Sequence, residues 1–438
     1  MTSYAPYAGS KRADISLFGP LFLFLAAFII LVATLPLSGI SIPGARRIAS
    51  VLDRIPQPWK PAKPTHVLAP EVDMALAAAP AAGSVAPAPG TGQPAPGIPA
   101  PALSAASVPA PAPVAPVPPA VHPALAAPLP ASFRQENFRH QYQTWNNCGP
   151  ATISMALSHF GRPEQQSHAA AFLKPNASDK NVGPDELVTY ARSVGLRADL
   201  IMAGDMNRLK RLVANDIPVV IQMWFTPHPN DGMGHFRLLM GYDDAAQQVI
   251  VYDSYQTPGV NVRLSYAAFD QDWRVFNRPF IPVYPAEKAD LVTAILGPDR
   301  DETAMRQRAL AESQAETITR PNDPYSWFNT GTALTQLGRT GEAIQAFDRA
   351  RALKLPWRML WYQFAPFEAY LAEGRVNDVL ALTNANLQQA NDLEESLYYR
   401  GKALEAQGQP AQARASYQAA IRSNPKYGPA LHALSLIG

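Results

Sequence analysis

The 438-residue sequence is short of cysteine and of charge, and each shortage removes a class of function. Its single cysteine excludes an intrachain disulfide and any thiolate-rich zinc or iron–sulfur site. Lysine and arginine number 37 against 35 aspartates and glutamates, a net charge of +2, and no basic stripe interleaved with aromatics runs along the chain. A nucleic-acid partner is therefore not expected, because tracking a phosphate backbone needs clustered cations. No P-loop occurs, and no cofactor-binding signature is found.

Charge is missing altogether from residues 15–45, where the run LFGPLFLFLAAFIILVATLPL is long and apolar enough to cross a hydrocarbon core of ~30 Å. The run exceeds the apolar region of a secretory signal and lacks a small-residue exit. Residues 16–43 therefore read as an uncleaved transmembrane anchor after an N-terminal tail over 1–15. Flanking charge, Lys11 and Arg12 before the span against Arg46, Arg47, Arg54, Lys60 and Lys63 after it, counts toward a cytoplasmic C-terminal part. A short tail followed by a long stalk points the other way. The expected location is a single-pass membrane protein with its folded part extracytoplasmic.

Most of the 44 prolines fall before residue 131. Residues 44–131 form a Pro/Ala-rich linker, too poor in large apolar side chains to offset chain entropy and expected to be disordered. Beyond it the pattern becomes globular. Helices are expected over 149–159, 184–194 and 206–214, with Pro184 at the start of the second and Gly195 past its end. The β-rich runs IPVVIQMWF, GHFRLLMGYD and QVIVYDSY follow, the last two separated by turn residues, so residues 132–286 read as one α+β domain. Trp273 and its aromatic neighbours after these strands are expected to complete that domain's core.

From residue 299 to 438 the pattern is helical throughout and repeats itself. Trp327, Gly331, Leu334, Gly338, Ala343, Phe347 and Ala350 fall on the tetratricopeptide scaffold. The pattern returns seventy residues later at Gly401, Leu404, Gly408, Ala413, Tyr417, Ala420 and Pro425. A degenerate copy lies between them over 360–392, around Tyr370 and Gly374, and a last helix is expected over 428–437. Small residues let paired helices touch, and stacked repeats offer a concave surface for a protein partner.

The sharpest chemical signal is QTWNNCGPATISMAL, residues 143–157. Its cysteine, Cys148, stands at a helix start, where unpaired backbone N–H groups and the positive end of the helix dipole favour the thiolate. A thiolate nucleophile needs an imidazole to share its proton, and the imidazole needs an acceptor to orient it. His235 opens the strand GHFRLLMGYD after the glycine-rich approach DGMG, which is expected to leave its ring accessible. Asp253 closes the next strand, and a hairpin across 243–248 brings both to one end of the sheet. Gln143 is placed to donate a side-chain amide to an oxyanion, with the Cys148 N–H as the second donor. His140, His159 and His168 read as surface residues. A metal site from His228, Asp231 and His235 lacks the usual ligand spacing, and none is expected.

In that order, Gln143, the run Asn147, Cys148, Gly149, Pro150 and Ala151, the pair Gly234 and His235, and Asp253 resemble the papain-clan peptidases of the double-glycine leader type that process bacteriocins, cysteine peptidase family 39. The resemblance covers roughly residues 135–285. It implies an α+β papain-like fold, a triad of Cys148, His235 and Asp253, and an oxyanion hole assisted by Gln143. The glutamine lies five residues before the cysteine rather than six, and the transporter parts of the best-known members are missing. The closer likeness is to the stand-alone peptidase-like branch. The chain thus reads as a multidomain, membrane-anchored cysteine peptidase that hydrolyses a peptide or protein substrate, with an all-α repeat domain that recruits a protein partner. The alternatives are a catalytically inactive binding scaffold and a thiol acyltransferase using the same triad.

Overall fold

The computed structural model describes residues 125, 127–174, 176, 179–227 and 231–437. The expected anchor over 16–43, nearly all of the linker over 44–131, and His228 lie outside the described residues. Among the described residues no helix is long and apolar enough to cross a membrane.

In chain order the first part contains β1 (Ser132–Arg134), α1 (Cys148–Ser158), α2 (Gln166–Leu173), α3 (Pro184–Ser193), β2 (Arg197–Ala198), α4 (Met206–Ala214), β3 (Val219–Phe225), β4 (Met233–Asp243), β5 (Gln248–Asp253), β6 (Val262–Ser265), α5 (Tyr266–Trp273) and β7 (Phe280–Tyr284). The strands form one antiparallel sheet in the order β2-β7-β3-β4-β5-β6, with β1 paired to the far end of β4. β3 is buried along its whole length, which explains its unbroken apolar run. Helices cover both faces. α1 and α3 pack with Val220, Phe236, Leu238, Ile281 and Val283 on one side. α4 and α5 pack with Ile221, Met223, Leu239 and Val251 on the other.

Trp273 is buried and its indole N–H donates to Pro279 O at 2.7 Å, so the aromatic segment does complete this core. Part of that segment does more. Val275 and Phe276 join Trp224 in an apolar cluster that continues into the repeats through Phe328, Phe347 and Tyr370.

The second part is helical: α6 (Ala289–Leu296), α7 (Glu302–Thr319), α8 (Pro324–Gln336), α9 (Thr340–Ala352), α10 (Ala365–Ala372), α11 (Val376–Gln389), α12 (Glu394–Ala406), α13 (Pro410–Ser423) and α14 (Gly428–Leu436). A 3₁₀ turn, Trp357–Trp361, precedes α10. The repeat scaffold works by close approach. A Cβ on Gly331 would stand 2.6 Å from the Phe347 ring, and one on Gly401 would stand 2.4 Å from the Tyr417 ring. Each glycine therefore admits the aromatic residue of the next helix, and Gly338 and Gly408 turn the chain between them at φ +74° and +72°.

The helical part docks on the sheet domain through buried and half-buried polar ties as well as the shared apolar cluster. Arg274 donates to both Asp323 carboxylate oxygens at 2.9 and 3.1 Å, and Asn329 Nδ2 donates to Arg274 O at 2.8 Å. Lys180 pairs with Asp392 at 2.6 Å, and Asn181 Nδ2 donates to Glu395 Oε1 at 3.2 Å.

Candidate active site

Cys148 is the first residue of α1, a helix whose next ten residues are all buried. Such a helix belongs inside the domain rather than on its surface. Its position against β4 is set by the Thr152 hydroxyl, which donates to Phe236 O at 3.1 Å. The approach loop is held from α2 and the residue after it. Gln166 Oε1 accepts from Thr144 N at 2.9 Å, and Lys174 Nζ donates to Asn146 O and Asn147 Oδ1, both at 3.1 Å.

β4 and β5 pair with Arg237 opposite Asp253, which carries the Asp253 carboxylate to the His235 ring. His235 Nε2 and Asp253 Oδ1 lie 3.1 Å apart, leaving Nδ1 for the thiol. Asp253 is fully buried and held by further donors: Tyr255 N at 2.7 Å and Gln256 N at 3.0 Å on Oδ1, and Arg237 Nε at 2.6 Å on Oδ2. His235 and Arg237 are two residues apart and therefore share a face of β4.

The glycine-rich approach does not leave His235 accessible, contrary to the sequence expectation. The residue is 1% exposed, and its ring lies 5.0 Å from that of Phe225 and 6.3 Å from that of Tyr255. Nor are His140 and His159 ordinary surface residues. His140 Nε2 lies 2.8 Å from Asp253 O, and His159 spans Glu136 O at 2.8 Å and Asp216 Oδ1 at 3.0 Å. His168 is exposed and accepts at Nδ1 from Gln165 N at 3.1 Å. Asp231 is paired with Arg358 at 2.5 Å rather than with His235.

Electrostatics follow from this packing. Burial alone would raise the Cys148 thiol, but the hydrogen bond and charge of His235 and the backbone N–H groups of Phe236 and Gly149 outweigh it, so the thiol is lowered. Burial would lower His235, and the hydrogen bonds and charges of Asp253 and Cys148 raise it instead. Asp253 is opposed by burial yet held well below the usual carboxylate range by His235 and then Arg237. The three shifts favour a thiolate beside an imidazolium that leans on a carboxylate.

Gln143 is tied to the residue after Asp253. Its backbone N–H donates to Ser254 O at 2.8 Å, and its Oε1 accepts from the Ser254 hydroxyl at 2.9 Å. The acceptor end of the amide is thereby occupied, and Nε2 has no partner among the described residues. Arg237, Ser254 and Lys174 were not singled out by sequence reasoning. For Arg237 a signal existed in its two-residue spacing from His235; for Ser254 and Lys174 the partners come from distant segments.

Residues 133–279 match the model of the Peptidase_C39 like family. Residues 302–354 and 394–427 match models of the tetratricopeptide repeat. No curated protein matches the chain. Among solved structures, the peptidase domain of Streptococcus ComA, a bi-functional ABC transporter involved in a quorum sensing pathway, is similar at 19% identity. That match covers 34% of this chain and 99% of that one, with a TM-score of 0.29. A putative C39-like peptidase from Bacillus anthracis is similar at 18% identity, over 35% of this chain and 96% of that one, with a TM-score of 0.30. A double glycine motif protease from an AMS/PCAT transporter, solved with its leader peptide, is similar at 16% identity over 35% and 94% of the two chains, with a TM-score of 0.27. The chain carries a C39-like peptidase domain followed by tetratricopeptide repeats.

Proposed function

We propose that the chain is a cysteine peptidase that hydrolyses peptide bonds through Cys148, His235 and Asp253. The observation that carries the reading is the line from the lowered Cys148 thiol through His235 to an Asp253 locked by Arg237. In the proposed cycle the Cys148 thiolate attacks the scissile carbonyl and His235 passes its proton to the departing amine. Water, deprotonated by His235, then releases the acyl group and restores the thiolate. Asp253 orients the ring and stabilises its protonated form. The Cys148 N–H and Gln143 Nε2 are the donors for the oxyanion, the latter freed for that role by the bond from Ser254 to Oε1.

The repeats are assigned the recruitment of a protein substrate or partner, in keeping with the surfaces such repeats form. The apolar segment over 16–43 is assigned the role of anchor, with the peptidase domain extracytoplasmic. Incubating the full-length chain and its Cys148→Ala variant with a proteome-derived peptide library tests the reading by mass spectrometry. New termini with the wild type and none with the variant are expected. Identical peptide profiles from both would refute hydrolysis.

A further inference from the structure

The repeat domain meets the segment before His235 at one turn, and at that turn the middle repeat departs from its neighbours. α8 and α12 each begin fourteen residues before their turn glycines, Gly338 and Gly408, whereas α10 begins nine residues before Gly374. The place held by Gly331 and Gly401 in the flanking repeats is taken by the buried Phe367. The first turn that α10 lacks is replaced by the 3₁₀ turn Trp357–Trp361 and by Tyr362.

Two side chains of this stretch touch the peptidase domain beside its histidine. Arg358 Nη1 donates to Asp231 Oδ1 at 2.5 Å and to Gly232 O at 3.2 Å, with its guanidinium 4.9 Å from the centre of the Trp357 ring. Tyr362 lies on Gly234: a Cβ at that glycine would stand 3.1, 3.2 and 3.2 Å from the Tyr362 atoms Cδ1, Cε1 and Cγ. Phe276 backs the ring at 6.2 Å, so it is held between the shared apolar cluster and the residue preceding His235. Burial pushes the Tyr362 phenol up; the Arg358 charge and the Gly234 backbone oppose that shift, and Cys148 and Asp231 add to it.

We propose that Tyr362 is a specificity-determining residue that the repeat domain supplies to the peptidase cleft, walling its His235 side and admitting only small substrate groups there. The proposal rests on the peptidase reading for what occupies the cleft. A proton donor must reach the departing amine, so the space beside His235 takes the leaving-group side of the scissile bond. The ring of Tyr362 already fills van der Waals distance over Gly234, and the Arg358–Asp231 pair keeps the turn from swinging aside. Lengthening α10 to match its neighbours would absorb Tyr362 into a helix, which gives the departure from the repeat pattern a use.

The test exploits the single cysteine: every thiol alkylation event on the full-length chain is at Cys148. Second-order rates are measured for iodoacetamide and for a bulky N-aryl iodoacetamide, which share a warhead, and the ratio of the bulky rate to the iodoacetamide rate is normalised to that of N-acetylcysteine. The wild type should disfavour the bulky reagent. Tyr362→Ala and Tyr362→Leu should each raise the ratio about tenfold, the scale of a steric pocket contact, while Tyr362→Phe keeps it. Circular dichroism and melting temperature identify any variant that has failed to fold, and the leucine variant, which keeps apolar packing, decides the matter if the alanine variant does. An unchanged ratio in a folded leucine variant would overturn the proposal, as would loss of iodoacetamide labelling along with that of the bulky reagent. Ordinary thiol behaviour toward iodoacetamide would instead count against the peptidase reading, with the size ratio still reporting on the wall.

Discussion

Replacing Arg237 with methionine keeps most of the side-chain volume and removes one half of a buried ion pair. Arg237 and Asp253 are 2% and 0% exposed, and the 2.6 Å bond between them is the sole hydrogen bond to Asp253 Oδ2 among the described residues. Removing one partner of such a pair destabilises by about 3–5 kcal/mol, because the remaining charge stays buried without compensation. Asp253 Oδ1 keeps His235 and two backbone donors, so the lower end of the range applies. At about 2–4 °C per kcal/mol, a loss of about 3 kcal/mol lowers the melting temperature by about 6–12 °C. Arg237→Lys should fall between, since an ammonium restores the charge without the planar guanidinium geometry. Thermal and urea unfolding of the three proteins provide the readout. A methionine variant within about 1 kcal/mol of the wild type would refute the claim that Arg237 locks Asp253.

Gly234→Ala forces its Cβ to 3.1 Å from the Tyr362 ring and should destabilise by about 1–3 kcal/mol, an effect that Tyr362→Ala in the same chain should largely cancel. Unfolding of the single and double variants measures the coupling, and additive losses would count against that contact. Gly401→Ala should also destabilise by about 1–3 kcal/mol, because its Cβ would overlap the Tyr417 ring at 2.4 Å, whereas an alanine at Gly428, the first residue of α14 with open space around it, should change little. At the domain seam, burial and then Glu394 push the Asp179 carboxyl up to about 8, with Glu186 adding to the shift and Lys174 and the Asn181 N–H opposing it. Glu186 is pushed up to about 7, and Glu394 and Glu395 are raised as well. A carboxyl raised on folding stabilises fully below its unfolded pKa of ~3.9, and that contribution fades as pH climbs through the folded value. Melting temperature should therefore fall between pH 5 and 9, and Asp179→Asn should make the fall shallower. Equal slopes would argue against the carboxylate cluster as the source.

The parts of the site that were legible in the sequence are those set by local chemistry. A lone cysteine before Gly149 and Pro150 marks a helix start on its own, and α1 begins at Cys148. His235 and Asp253 sit on consecutive strands, so a hairpin suffices to bring them near, although the pairing register had to come from the structure. Burial of His235 was not legible, because Phe225 and Tyr255 come from other segments and close over it only in the folded domain. The short strands β1, β2 and β6 carry too few residues for a period-two pattern to register. The repeats were visible through Gly331, Gly401 and their aromatic partners. What those spacings could not reveal was that Phe367 displaces the small residue of the middle repeat and that the freed turn lies against Gly234.

The central claim is that Cys148 is a thiolate paired with His235, and the most direct test is the rate of Cys148 alkylation by iodoacetamide in the full-length chain across pH 4 to 9, with and without His235→Ala. A lowered thiol and a raised imidazole predict reaction that persists well below the ordinary thiol pKa of ~8.5 in the wild type and retreats toward it in the variant. Two superimposable curves that both rise near ~8.5 would contradict the account.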